Sequence, residues 1–126
     1  MARPTTSHPT SGEFAILKIL WDRGPLTVRD VHTAIAAQSG VSYTTVLKTM
    51  QIMLEKGLVS RDDSQRSHVY EAAVSQQTSQ SQLLRKVLDM AFEGSIAKLL
   101  QGAIQSRAAS AKELREIQKL IEKHQK

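Results

Sequence analysis

The stretch Ser42-Tyr43-Thr44-Thr45-Val46-Leu47-Lys48-Thr49-Met50-Gln51-Ile52-Met53-Leu54-Glu55-Lys56-Gly57 decides the fold. Ser42 is a favoured N-cap residue, because its hydroxyl can accept from first-turn amides. Tyr43, Val46, Leu47, Met50, Met53 and Leu54 recur at helical spacing and form one apolar stripe. Thr44, Lys48, Gln51 and Glu55 lie opposite, flanked by Thr45 and Thr49, and Gly57 stops the helix. The spacing therefore predicts a rod with one buried side and one bare side. Ile52 departs from that pattern, near the middle of the polar side, where it packs against the hairpin, the fourth helix or a subunit partner.

Two helices precede this one. Thr10-x-x-Glu13 is a capping-box pattern that opens a helix over Ser11 to Asp22, with Phe14, Leu17 and Trp21 as its stripe and Ile16, Ile19 and Leu20 widening it. Asp22-Arg23-Gly24-Pro25 ends it. Leu26 stands alone as a very short strand or a loop residue. Thr27-x-x-Asp30 then caps a second helix carrying Val28, Val31 and Ile35 through Gln38, closed by Ser39-Gly40. After the third helix, Leu58 to Arg61 and His68 to Ala72 read as an antiparallel hairpin whose tip is Asp62 to Ser67. From Ser75, beyond a Gln/Ser-rich patch, helical spacing returns around Leu84, Val87, Leu88 and Ala91, with Leu83 and Phe92 beside them. Gly94 interrupts it. Ile96, Leu99, Leu100 and Ile104 mark another helix, and Ser110-x-x-Glu113 opens a last one with Leu114, Ile117, Leu120 and Ile121. The expected fold is mostly α with a small β-hairpin. Residues 1–9 form a disordered tail, 10–74 a winged helix-turn-helix, and 75–126 a helical dimerisation region.

Composition sets limits. With 126 residues the chain holds one domain, or one small domain and an appendage. It has no cysteine, which excludes disulfides, thiolate metal sites and thiol catalysis and fits a reducing, cytoplasmic setting. No apolar run approaches the roughly 20 residues of a membrane helix, and the polar N-terminus with Pro4 and Pro9 is not a signal peptide. The net charge of +5 fits either an anionic partner, nucleic acid first, or a solvated surface. Residues 1–73 carry eight basic and seven acidic side chains, so charge alone does not locate a DNA-binding face.

The order of elements does. In a helix-turn-helix pair the second helix lies in the major groove, its N-terminal residues at base edges, and a following hairpin reaches the adjacent backbone or minor groove. Thr44 and Thr45 offer hydroxyls and methyls, Lys48 reaches phosphate or guanine, and Tyr43 packs inward or presents its hydroxyl to a phosphate. Arg66 is the first candidate phosphate contact of the wing and Arg61 the second. The alternative is that these side chains form an ordinary solvated surface. The apolar stripes after residue 75 need a cover: a second copy in a two-fold interface through Leu83, Leu84, Val87, Leu88, Leu99, Leu100, Leu114, Ile117 and Ile121, or the chain's own head.

Four stretches carry a family resemblance. They are Glu13 to Trp21, Gly24 to Val31, Ser42 to Thr49 followed by Leu54 to Val59, and Arg66 to Tyr70. In order and spacing they resemble the first helix, second-helix start, recognition helix and wing of the BlaI/MecI/CopY penicillinase-repressor family. The resemblance implies a dimeric repressor that occludes promoters bearing inverted repeats, often with TACA/TGTA-like half-sites. It places Thr44, Thr45, Lys48 and Arg66 where relatives contact double-stranded DNA. It also implies release by a membrane sensor metalloprotease in the antibiotic-responsive members. Their scissile Asn-Phe pair has no counterpart here, where the nearby stretch reads Leu99-Leu-Gln-Gly-Ala103. The copper-responsive branch uses a cysteine cluster, which this chain lacks.

Catalytic chemistry finds no support. His8, His32, His68 and His124 are scattered without ligand spacing, Asp62-Asp63 reads as a solvated turn, and no serine has an evident base partner. The chain is expected to be no enzyme and to hold no metal or cofactor. A winged-helix protein–protein adaptor without sequence-specific DNA binding is the alternative function.

Overall fold

A computed structural model of the protein describes residues 9–125. The expected tail lies outside them except for Pro9. The elements run α1 (Ser11–Arg23), α2 (Val28–Ser39), α3 (Tyr43–Lys56), β1 (Val59–Asp62), β2 (Val69–Ala72), α4 (Gln76–Ala91), α5 (Ile96–Gln105) and α6 (Ala111–Lys123). This is the mostly helical chain with one hairpin that the sequence predicts. It divides into two compact units, the first ending at Leu83 and the second starting at Leu84. The division falls inside α4, later than the change of composition at residue 75.

In the first unit the local signals act as their chemistry dictates. Thr10 Oγ1 accepts from the Glu13 amide at 3.2 Å while the Glu13 carboxylate accepts from the Thr10 amide at 2.9 Å, so both orphan donors at the start of α1 are satisfied. Thr27 and Asp30 repeat the arrangement at α2, with the shorter acid reaching back only to 3.4 Å. Gly57 ends α3 at φ +82°, a left-handed conformation that glycine adopts without a Cβ clash. The hairpin pairs Val59 with Ala72, Ser60 with Glu71, Arg61 with Tyr70 and Asp62 with Val69. Leu26 is strand-like after all. It exchanges both backbone hydrogen bonds with Tyr70 at 2.8 and 2.9 Å, which roots the hairpin against the connection between α1 and α2.

The core gathers Ile16, Leu17 and Leu20 of α1, Val28 and Val31 of α2, Val46, Met50 and Met53 of α3, and Leu58, Val59 and Tyr70. The α1 stripe is rotated from its expected position. Glu13, Ile16, Leu17 and Leu20 are buried, whereas Phe14 and Trp21 are half-buried and pack edge-on at 5.6 Å. A partner explains Trp21: its indole N–H donates to the Val74 carbonyl at 2.9 Å, and an indole needs such a partner to leave water.

The second unit holds the end of α4, α5 and α6. Glu93 and Gly94 turn the chain between α4 and α5 with φ of +53° and +76°. Ser110 Oγ accepts from the Glu113 amide at 3.1 Å, the forward half of the expected box. Its packing is thin. Leu88 is buried, but Leu84, Met90, Ile96, Ile104, Leu120 and Ile121 are all exposed.

Candidate nucleic-acid interface

α3 is held from below by Val46, Met50 and Met53, each no more than 2% exposed. Its opposite side is bare: Thr44, Thr45, Lys48, Gln51, Ile52 and Glu55 are exposed. The first turn is rigidly organised. Ser42 Oγ accepts from the Thr45 amide at 3.2 Å and donates to Thr45 Oγ1 at 3.0 Å. Thr45 Oγ1 thus keeps its own proton for an outside acceptor.

Tyr43 sits at the edge of the apolar stripe and is 43% exposed. Its ring meets His32 edge-on at 5.7 Å, and His32 Nε2 lies 3.0 Å from the Val41 carbonyl. The sequence left two roles for Tyr43, and the ring is half packed and half open. A groove of about 280 Å³ runs beside it, walled by Thr27, Val28 and Arg29 of the α2 start, Tyr43 and Leu47 of α3, and Arg66, Ser67 and His68 of the wing with Tyr70 beneath. Tyr43 and Arg66 therefore share one concavity. Arg29 joins them there and was not singled out from the sequence. A signal existed: a cation in the first turn of a helix opposes the macrodipole, a cost that calls for a reason.

The two wing arginines differ. Arg61 Nε lies 2.7 Å from Asp63 Oδ1, and a further nitrogen donates to Oδ2 at 3.2 Å. Tyr70 first, and Asp63 next, raise its already high pKa. Arg61 is thus engaged within the hairpin. Arg66 is exposed at the tip and has no ion-pair partner among the described residues. Asp62 shapes the tip from inside. Its Oδ1 accepts from the Ser64 amide at 2.9 Å, and that amide, followed by the Ser64 hydroxyl, holds its carboxyl below the ordinary aspartate pKa.

One contact escaped the sequence reading. Glu13 is 3% exposed, and its carboxylate takes the Lys56 ammonium at 2.9 and 3.1 Å. The start of α1 thereby clamps the last turn of α3. The capping-box motif accounted for Glu13 locally and concealed this second role.

The residues expected to cover a partner do not form one class. Leu83 and Leu84 are 39% and 46% exposed and Ile121 is 50% exposed, whereas Val87, Leu99, Leu100, Leu114 and Ile117 are half-buried. Leu88 is the exception: at 3% exposed it is packed within the single chain and is not part of a free face. No group of three or more His, Asp or Glu among the described residues could hold a metal ion. No described helix is long and apolar enough to cross a membrane.

Three helices, a hairpin rooted on them and a bare third helix define a winged helix-turn-helix protein. Residues 9–123 match the family model described as penicillinase repressor, so the chain belongs to the penicillinase repressor family. Among curated proteins it is similar to the transcriptional regulator BlaI of Mycobacterium tuberculosis, in two strains. It is 41% identical to each over 59 residues, covering 46% of this chain and 43% of the relative. The matched segment thus spans less than half of those relatives' length. The expectation that the chain is not an enzyme agrees with these findings, since both the family and the relatives are named as regulators of transcription.

Proposed function

We propose that the chain is a homodimeric transcriptional repressor that occludes promoters carrying inverted-repeat operators. The observation that carries this reading is the bare side of α3, with Thr44, Thr45 and Lys48 exposed and Tyr43 and Arg66 facing one groove at its N-terminal end. A helix so presented fits the major groove, hydroxyls and lysine at base edges and phosphates, while the wing arginine meets the adjacent backbone. The second unit supports dimerisation, because Leu120 and Ile121 of α6 and Ile96 and Ile104 of α5 are half or more exposed and a second copy would cover them. Two heads held by one two-fold axis read two half-sites, which gives the repeat its inversion. The repressor acts in the cytoplasm, and a membrane sensor metalloprotease supplies the releasing signal. Residues 99–103, the stretch nearest the site cut in the antibiotic-responsive members, lack their Asn-Phe pair and lie within α5, so release by cutting would use another bond.

The test is selection of duplexes from a random pool by the full chain at two salt concentrations. Enrichment of an inverted repeat, bound by two chains, is the expected result. Binding that is uniform across sequence, or absent, overturns the reading and favours the adaptor. In sedimentation, Leu120→Glu with Ile121→Glu turns a dimer into a monomer.

A further inference from the structure

Ile52 does not fit a solvated helix face. It is 42% exposed on α3. At about 100° per residue, Thr45, Lys48 and Ile52 share an arc of about 60°, so Ile52 stands one turn beyond Lys48 on the same bare side. Solvated positions on this helix carry Gln51 and Glu55, long polar residues that helices favour. A β-branched apolar side chain there loses rotamer freedom in the helix and still leaves over two-fifths of its surface to water. Ile52 has no donor or acceptor to offer. Thr49, beside it, has already given its hydroxyl proton to the Thr45 carbonyl at 2.8 Å. This part of the bare side is therefore suited to an apolar feature and not to a hydrogen bond. Among the base edges displayed in the major groove, the one apolar group is the 5-methyl of thymine.

We propose that Ile52 reads a thymine methyl in each half-site and is a specificity-determining residue of α3. The inference rests on the DNA-reading role of α3 given above. It assigns base choice to a residue that contributes nothing to phosphate binding. Affinity for non-specific DNA is therefore independent of it.

The experiment takes duplexes enriched by the full-length wild-type chain and replaces each thymine in turn by deoxyuridine, which removes the methyl alone. Affinities are measured for the wild type, Ile52→Ala and Ile52→Gln, with melting temperatures to establish that all three fold. One thymine per half-site is expected to cost the wild type about fourfold when replaced, the worth of one buried methyl group. The same replacement should leave both variants unchanged within twofold, and non-specific binding should be equal in all three. If deoxyuridine costs the same in wild type and variants at every position, or costs nothing anywhere, Ile52 reads no thymine methyl and the inference is overturned. If the wild type enriches no sequence, the DNA-reading role of α3 falls first, and the Ile52 inference falls with it.

Discussion

Glu13 and Lys56 are 43 positions apart and joined by two hydrogen bonds of 2.9 and 3.1 Å, with the Glu13 side chain almost wholly buried and the Lys56 side chain about one-fifth exposed. A single carboxylate thus serves two helices. It completes the cap of α1 and fixes the last turn of α3. Removing one partner of such a pair leaves the other without compensation where water has little access.

Glu13→Ala should therefore destabilise the first unit by about 2–3 kcal/mol, less than a fully buried pair because Lys56 retains some solvent. Glu13→Gln, which keeps an acceptor for the Thr10 amide, should lose less. Chemical denaturation of the two variants checks the order. Equal losses would mean that the ion pair with Lys56, and not the capping bond, carries the effect.

Lys48 and Arg66 are exposed and have no ion-pair partner among the described residues, whereas Arg61 is held by Asp63. Lys48→Ala and Arg66→Ala should each weaken binding to a selected duplex roughly tenfold. Where the lost contact is to phosphate, the slope of log affinity against log salt should fall by about one unit. Arg61→Ala should do less, since its guanidinium must leave Asp63 to reach DNA. A titration at three salt concentrations separates the three; an Arg61 effect larger than that of Arg66 would contradict the assignment.

The wing tip should respond to acid through Asp62. Its carboxyl pKa is depressed by the Ser64 amide and hydroxyl, so its contribution is complete above the unfolded-state value of about 3.9 and is lost as pH falls through the lower folded value. NMR titration should find its midpoint below the ordinary aspartate value, with the Ser64 amide losing protection relative to its intrinsic exchange rate below that midpoint. Asp62→Asn keeps an acceptor and should abolish that pH-dependent change in protection. A midpoint at or above the ordinary value would contradict the turn.

Two glycines should answer alanine with opposite signs. At Gly102, inside α5, an added Cβ would meet Phe92 Cε1 at 3.5 Å, an ordinary contact. Gly102→Ala should stabilise the second unit by up to about 1 kcal/mol. At Gly57 the space is open but φ is +82°, so Gly57→Ala should cost about 1–2 kcal/mol. Thermal unfolding of both variants tests the contrast.

Much of the architecture is legible locally. Thr10, Thr27, Ser42 and Gly57 mark helix ends by hydrogen bonds and backbone conformation that depend only on near neighbours. The bare face of α3 follows from its period in the same way. Features that depend on distant partners are not legible. Nothing near Glu13 announces Lys56, and nothing near Trp21 announces the Val74 carbonyl, so the α1 stripe reads one position away from its true centre. Along the chain Arg66 reads as the tip cation and Arg61 as a second candidate beside it; that Asp63 holds Arg61 is visible only in the folded hairpin. Leu88 follows the same spacing as its apolar neighbours in α4 yet is buried, because spacing gives a face and not what covers it.

The placement of the aromatic side chains has a spectroscopic consequence. The sole tryptophan, Trp21, and both tyrosines, Tyr43 and Tyr70, belong to the first unit, and the second has only Phe92. Emission excited at long ultraviolet wavelengths is therefore an intrinsic label on the head alone. Indole fluorescence recorded beside far-ultraviolet ellipticity, which follows the helices of both units, would reveal whether the two halves melt together or in succession without any probe being introduced.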